Sequence, residues 1–270
     1  MDKILRNLLF RGEVSLTVMD TTELVNGAIA IHGTGVEASR LLGGLLTCGA
    51  YLASSLKEDT GSVSLTIKAK DEDGAVSVSA DKALHVRGFA DGTCTQTLVG
   101  GTLTVVREDG YSRPFVGTCD ILTDDISDIL ARYFGQSEQI ATAVCIFTEI
   151  GKDGKCVRAG GAVLQLMPDA SPEAINGATE LFEKYEKCCK SVDADRAYRD
   201  VFAPAASGFS KMLIPFYKCN CSENKIKGIL SSVGREELLK ICDEEGAVKV
   251  HCHYCNTDYI FDRTRIEEEF

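Results

Sequence analysis

Cys219-Asn220-Cys221 and, further on, His251-Cys252-His253-Tyr254-Cys255 place four thiols in two short stretches of the last quarter of the chain. They form a C-x-C pair and a C-x-x-C pair, separated by a segment rich in charged and aliphatic residues. Four thiolates from two short loops make the closed tetrahedral site that zinc prefers, with no coordination position left for water or substrate. Thiolate is also the form of cysteine that oxidants attack. Such a centre can hold a fold together, act as a redox trigger, or do both.

The segment carrying these cysteines, 219–270, is too small to be stable by hydrophobic burial alone. Ile226 to Ile241 has helical pattern, with Ile229, Leu230, Val233, Leu238 and Ile241 as its apolar positions, and Ala247 to Phe261 reads as a hairpin whose turn carries Cys252 and Cys255. One zinc ion on Cys219, Cys221, Cys252 and Cys255 is therefore expected to supply the fold. Structural zinc contributes on the order of 10–16 kcal/mol in zinc-finger peptides, against about 2–4 kcal/mol for a disulfide. Exchanging the ion for two disulfides would leave the module much less stable. His251 and His253 flank Cys252 and could substitute as ligands, but four sulfurs suffice, and both are expected as exposed hairpin side chains.

Working outward, 171–218 reads as a helical connector. Ser171 is a helix N-cap, Pro172 takes the first helical position and Glu173 lies in the first turn. Ile175, Ala178, Phe182, Tyr185, Cys189 and Val192 follow in steps of three and four, one helix face. Glu180–Lys184, Glu183–Lys187 and Glu186–Lys190 have the spacing of i, i+4 ion pairs, each worth about 0.2–0.5 kcal/mol. Asp195 to Phe202 reads as a second short helix, and Pro204 and Gly208 break the pattern. A helix with a greasy face must rest on something, and undocking would expose that face.

The remainder, 1–170, reads as an α+β domain. Period-two alternation marks strands at Val14–Val18, Val63–Ile67, Ala75–Ser79 and Gly101–Val106, the last ending near an Asp109-Gly110 turn. Gly35 to Leu56, rich in Ala, Leu and Gly, reads as a helix, as does Asp124 to Phe134. Strand pattern returns at Ala141–Glu149 and Gly161–Leu166, with a turn over Gly151–Lys155. The predicted architecture is mixed sheet and helix, a helical connector and a small zinc module.

Composition excludes several function classes. The 270-residue chain carries a formal charge of −11, which argues against nucleic-acid binding because neutralising phosphate needs basic patches. Met1 to Leu16 is interrupted by Lys3, Arg6, Arg11 and Glu13 and has no signal-peptide pattern, and no stretch approaches a membrane span. The twelve cysteines are thus expected in the reducing cytoplasm and not as a disulfide framework. A thioredoxin-like oxidoreductase would place C-x-x-C at a helix start, whereas Cys252 and Cys255 sit in a hairpin. A zinc hydrolase needs an open coordination position and a base. Gly33-Thr34-Gly35 and Gly100-Gly101 lack the setting of a phosphate loop and read as turns. No Ser-His-Asp or paired-carboxylate constellation stands out, so no catalytic residue is assigned.

The ordered motifs do resemble a known family. The C-x-C and C-x-x-C pairs are similar to those of the redox-regulated heat-shock chaperones called 33-kilodalton chaperonins. Tyr133-Phe134-Gly135-Gln136-Ser137-Glu138-Gln139-Ile140 resembles their Y-F-x-x-S-E-Q-I stretch, although Ala141 stands where the family usually has Pro. Ala159-Gly160-Gly161-Ala162 through Gln165-Leu166-Met167-Pro168 is similar to their G-G…Q-x-x-P segment. Arg87-Gly88-Phe89 resembles their R-G-[YF] step, and Gly234-Arg235-Glu236-Glu237-Leu238 the helix before the second cysteine pair. Cys48, Cys94, Cys119, Cys145, Cys156, Cys188, Cys189 and Cys242 are outside the family motif.

The resemblance implies a holdase that binds unfolding client proteins without ATP. It implies an inactive, reduced, zinc-bound form, activated when disulfides Cys219–Cys221 and Cys252–Cys255 form and zinc leaves. It also implies that loss of the module undocks the connector and that the active form is a homodimer. The competing expectation is a binding protein whose zinc is purely structural.

Overall fold

Alternation of apolar and polar residues turns one side of each strand inward, and in the computed structural model this pattern builds two units, 1–217 and 218–270. The structure describes residues 1–70, 74–91 and 97–270, so Cys94 lies outside the described residues.

The first unit begins with strands β1 (Lys3–Leu9) and β2 (Val14–Asp20) and helices α1 (Thr22–His32) and α2 (Val36–Ser54). Strands β3 (Ser62–Lys68), β4 (Ala75–Asp81), β5 (His85–Ala90), β6 (Thr102–Glu108) and β7 (Phe115–Asp120) follow, then helix α3 (Ile126–Tyr133). A hairpin of β8 (Thr142–Ile150) and β9 (Cys156–Leu166) leads to helices α4 (Pro172–Cys188) and α5 (Ala194–Ala197). Strands β10 (Ala206–Leu213) and β11 (Phe216–Tyr217) complete the unit.

Two sheets result. One is antiparallel with strand order β10-β1-β2-β9-β8. The other has order β11-β5-β4-β3-β6-β7 and is antiparallel except where β11 runs alongside β5. Helix α2 packs against both. Its Leu42, Leu45, Leu46 and Leu52 share one core with Leu65, Val76 and Val78 of the six-stranded sheet and Met19, Val144 and Val163 of the five-stranded sheet. Full burial of such a side chain stabilises by about 1.5–3 kcal/mol. The Gly-rich composition of α2 has a steric reason. A Cβ at Gly43 would lie 2.7 Å from Thr148 Cγ2, and one at Gly49 would lie 2.6 Å from Val78 Cγ1. Polar groups in this core are paired: Thr21 Oγ1 and Thr47 Oγ1 are 2.7 Å apart. The Asp2 carboxylate accepts from the N–H groups of Glu23 (2.8 Å) and Leu24 (2.6 Å), satisfying the otherwise orphaned first turn of α1.

The second face of the five-stranded sheet carries α4. Leu16, Val18, Ala162 and Leu164 pack there with Ala174, Ala178, Tyr185, Cys189 and Phe202. Ser171 Oγ accepts from Ala174 N at 3.2 Å, with Pro172 in the first turn, as the sequence predicts. The buried stripe differs at its start, where Ala174 is inward and Ile175 is 38% exposed. None of the three expected pairs along α4 closes as an ion pair among the described residues. Beyond α4, α5 and a helical turn at Tyr198–Phe202 occupy the second expected helix. The strands after them, β10 and β11, pair with β1 and β5 respectively.

The second unit contains α6 (Glu223–Ser231), α7 (Arg235–Glu245), a hairpin of β12 (Ala247–Cys252) and β13 (Thr257–Asp262), and α8 (Arg263–Glu269). The single helix expected over Ile226–Ile241 is two, because Gly234 adopts φ +93° between them, a conformation glycine enters without steric cost. Only Ile226, Leu230, Leu238, Cys242, Val248, Phe261 and Ile266 form the buried cluster, and Ile229 and Val233 remain exposed. Lys227 and Arg265 bridge Glu223 and Glu269, tying α6 to α8.

Candidate metal centre

Cys219 and Cys221 lie just before α6, whose N-cap Ser222 accepts from Lys225 N at 3.3 Å. Cys252 ends β12, and the chain then turns tightly, with Asn256 N donating to Cys252 O at 2.8 Å. Asn256 sits at φ +56°, a left-handed position that asparagine tolerates better than most residues. This turn brings Cys255 back beside Cys221. Cys221 Sγ and Cys255 Sγ are 3.2 Å apart, Cys219 Sγ and Cys252 Sγ 3.7 Å. All four sulfurs lie within 4.8 Å of one another, and all four residues are half-buried.

The donor set fits zinc. Tetrahedral coordination at about 2.3 Å per sulfur sets sulfurs about 3.8 Å apart, inside the range spanned here. Four soft thiolates favour zinc over magnesium or calcium, which take oxygen ligands. Both of these sulfur contacts, Cys221–Cys255 and Cys219–Cys252, run between the pairs.

Hydrogen bonds reach the Cys219 and Cys221 sulfurs. The backbone N–H of Cys221 donates to Cys219 Sγ at 3.4 Å, and the Tyr259 hydroxyl is 3.1 Å from Cys221 Sγ. Burial pushes the Cys219 thiol up to about 12. Burial also acts against ionisation at Cys221, but hydrogen bonds from Tyr259 and Cys255 outweigh it and draw that thiol down to about 7. Cys221 is therefore more readily ionised than Cys219, and metal binding would expel thiol protons.

Neither histidine joins the cluster. His251 Nδ1 pairs with Asp258 Oδ1 at 2.7 Å, and its ring meets that of His253 edge-on at 5.0 Å. Tyr259 is the site residue that the sequence reading does not identify. Its signal is strand parity: Tyr259 sits opposite Val250 in the β12–β13 register, two residues before Cys252 on the same face.

The other distinctive stretches have packing roles. Tyr133 and Phe134 are buried, Phe134 meeting Tyr51 edge-on at 5.8 Å, and Glu138 pairs with Arg107 at 2.6 Å. On β9, a Cβ at Gly161 would lie 2.1 Å from Cys145 O. At Gly88, the backbone carbonyl accepts from the Tyr217 hydroxyl at 2.7 Å. Gly33 terminates α1 at φ +59°, and Gly100 lies at φ +84° in a turn. Of the additional cysteines, Cys48, Cys119, Cys156 and Cys242 are buried singly or near carbonyls, whereas Cys145 and Cys189 adjoin each other. No helix among the described residues is long and apolar enough to cross a membrane.

Comparison with known proteins converges on one family. The family model described as "Hsp33 protein" matches residues 2–262. The "33 kDa chaperonin" of Lachnoclostridium phytofermentans is 26% identical, covering 99% of this chain and 97% of the relative. That of Clostridium novyi is 29% identical, covering 99% and 97%. The crystal structure of the 33 kDa chaperonin (heat shock protein 33 homologue) of Thermotoga maritima superposes with a TM-score of 0.87 at 25% identity, covering 99% of this chain and 97% of that one. With a family match over nearly its whole length and a solved relative of the same fold, the chain belongs to the Hsp33 family of chaperones.

Proposed function

We propose that this chain is an ATP-independent holdase of the cytoplasm whose activity is switched by oxidation of Cys219, Cys221, Cys252 and Cys255. The observation that carries this reading is the convergence of four half-buried sulfurs within 4.8 Å in a unit with so small a core. Zinc on these four sulfurs supplies a covalent-strength crosslink between the start of α6 and the tip of the β12–β13 hairpin. The same sulfurs cannot ligate zinc and form disulfides at once, so oxidation exchanges a strong stabiliser for a weaker one.

Oxidation joins Cys219 to Cys221 and Cys252 to Cys255, each pair of thiols losing two protons and two electrons to a peroxide that leaves as two waters. The C-x-C bond closes a very small ring and is strained, which makes it easier to reduce and suits a reversible switch. In this reading 1–170 is the core domain, 171–218 the linker and 219–270 the redox module. The apolar face of α4, with Ala178, Phe182 and Tyr185, becomes available to unfolding clients once the linker undocks, and the active species is a homodimer.

The test is zinc release under peroxide at mild heat, followed in one sample with suppression of a client protein's aggregation. Zinc leaving one per chain, with suppression that appears alongside it and reverses on reduction, supports the switch. Zinc leaving without any change in aggregation would make the centre purely structural.

A further inference from the structure

Cys145 lies on β8 in register with Ala162 of β9, and Cys189 caps the C-terminal end of α4. Side chains alternate along a strand, so Cys145 points with Ala143 and Phe147 to the sheet face on which α4 rests. There its Sγ is 3.8 Å from Cys189 Sγ. A disulfide bond is about 2.05 Å long, so closure needs an approach of only about 2 Å shared between two side chains. Both cysteines are far apart in sequence and neither belongs to the four-sulfur centre.

We propose that Cys145 and Cys189 form a reversible disulfide under peroxide, clamping the end of α4 to the edge strand β8. Cys189 is the better first nucleophile. The adjoining Cys145 thiol and nearby Lys190 draw its pKa down to about 7 against the effect of burial. The interaction with Cys189 and burial push the Cys145 thiol up. The Cys189 thiolate attacks one peroxide oxygen, the O–O bond breaks, and a sulfenic acid forms with release of hydroxide. Cys145 sulfur then attacks the Cys189 sulfur, the S–S bond forms as the S–O bond breaks, and the thiol proton leaves with the second hydroxide as water. Two sulfurs are oxidised by two electrons in total, and one peroxide is reduced to two waters.

The bond is independent of the zinc module; its consequence rests on the holdase reading. A clamped α4 keeps Ala174, Ala178 and Tyr185 covered. Oxidation then has two opposed effects on one chain: it unlocks the C-terminal unit and fastens the linker helix. Cys189 is only 2% exposed, whereas the four zinc-site residues are half-buried, so the clamp forms more slowly than the module's disulfides.

The test is peptide mapping of the full chain after peroxide treatment, alkylation and non-reducing trypsin digestion. The expected product joins peptide 133–152 to peptide 188–190, with a mass lower by two hydrogens than the sum of the two. Because the second peptide also contains Cys188, a Cys188→Ser chain is mapped in parallel and is expected to give the same bridge. Cys145→Ser removes it. Recovery of Cys145 fully alkylated, or a Cys188–Cys189 bond in its place, would overturn the proposal. The brake is read separately: after equal peroxide doses, Cys145→Ser is expected to lose amide protection across 172–188 and to suppress client aggregation more than the unaltered chain. A mapped bridge without that difference overturns the brake and retains the bond. Absence of any chaperone activity in both chains overturns the holdase reading and leaves the mapped bond standing.

Discussion

The Tyr259 hydroxyl lies 3.1 Å from Cys221 Sγ, on the strand that follows the second cysteine pair. As a donor this hydroxyl stabilises Cys221 as thiolate. Groups that orient and hydrogen-bond metal ligands typically matter 10–100-fold in affinity. Tyr259→Phe is expected to weaken zinc binding about 10-fold and to speed peroxide-driven zinc release. Chelator competition measures the first and absorbance of a zinc dye the second. Unchanged affinity would show that the hydroxyl does not serve the sulfur.

Metal removal is expected to act on one unit only. Chelation under reducing conditions should abolish amide protection in α6, α7 and the β12–β13 hairpin. The two sheets of 1–217, with their extensive core, should keep theirs. Hydrogen exchange by mass spectrometry reads both at once. Cys255→Ser should mimic chelation, whereas His251→Ala should not, because His251 is engaged by Asp258 and not by the sulfurs.

Asp2 predicts an inverted pH dependence. Burial raises its carboxyl to about 6 from 3.8, in spite of the two backbone donors that favour the anion. The folded state therefore holds the proton more tightly than the unfolded chain. Its stabilising contribution is full below about 4 and is lost as pH rises through about 6, amounting to about 2–3 kcal/mol at 1.36 kcal/mol per unit. Compared with Asp2→Asn in chemical denaturation, the unaltered chain should lose relative stability between pH 4 and 7. A pH-independent difference would rule out this linkage.

Gly49 tests how tightly α2 is held between the sheets. A methyl there would fall 2.6 Å from Val78 Cγ1, a stiff β-branched side chain in the core. Overpacking of this kind costs about 1–3 kcal/mol. Gly49→Ala should lower the urea midpoint accordingly; an unshifted midpoint would mean that the helix can retreat freely.

What was legible in the sequence was periodic or chemically distinctive. Strands β2, β3, β4 and β6 alternate cleanly and lie near their expected positions, and α4 begins at the Ser171-Pro172 signal. The four cysteines announce themselves by type and spacing. Strand β1 was obscured by Lys3, Arg6 and Asn7; Asn7 donates to Tyr198 and Ser210, remote groups that no local pattern reveals. Strand β10 was hidden behind Pro204 and Gly208, because its identity depends on pairing with β1 almost two hundred residues away. Tyr259 and the Cys145–Cys189 contact are likewise products of register and docking, and no sequence window contains both members of either pair.

The pairing of β10 with β1 and of β11 with β5 means that 206–217 is sewn into both sheets by backbone hydrogen bonds. Peeling 206–217 away would uncover more than grease. It would turn β1 and β5 into bare sheet margins, each a row of unanswered amides and carbonyls that any extended chain can zip onto. Under the proposed holdase reading, recognition through main-chain groups would disregard side-chain identity and so suit unfolding polypeptides of many sequences.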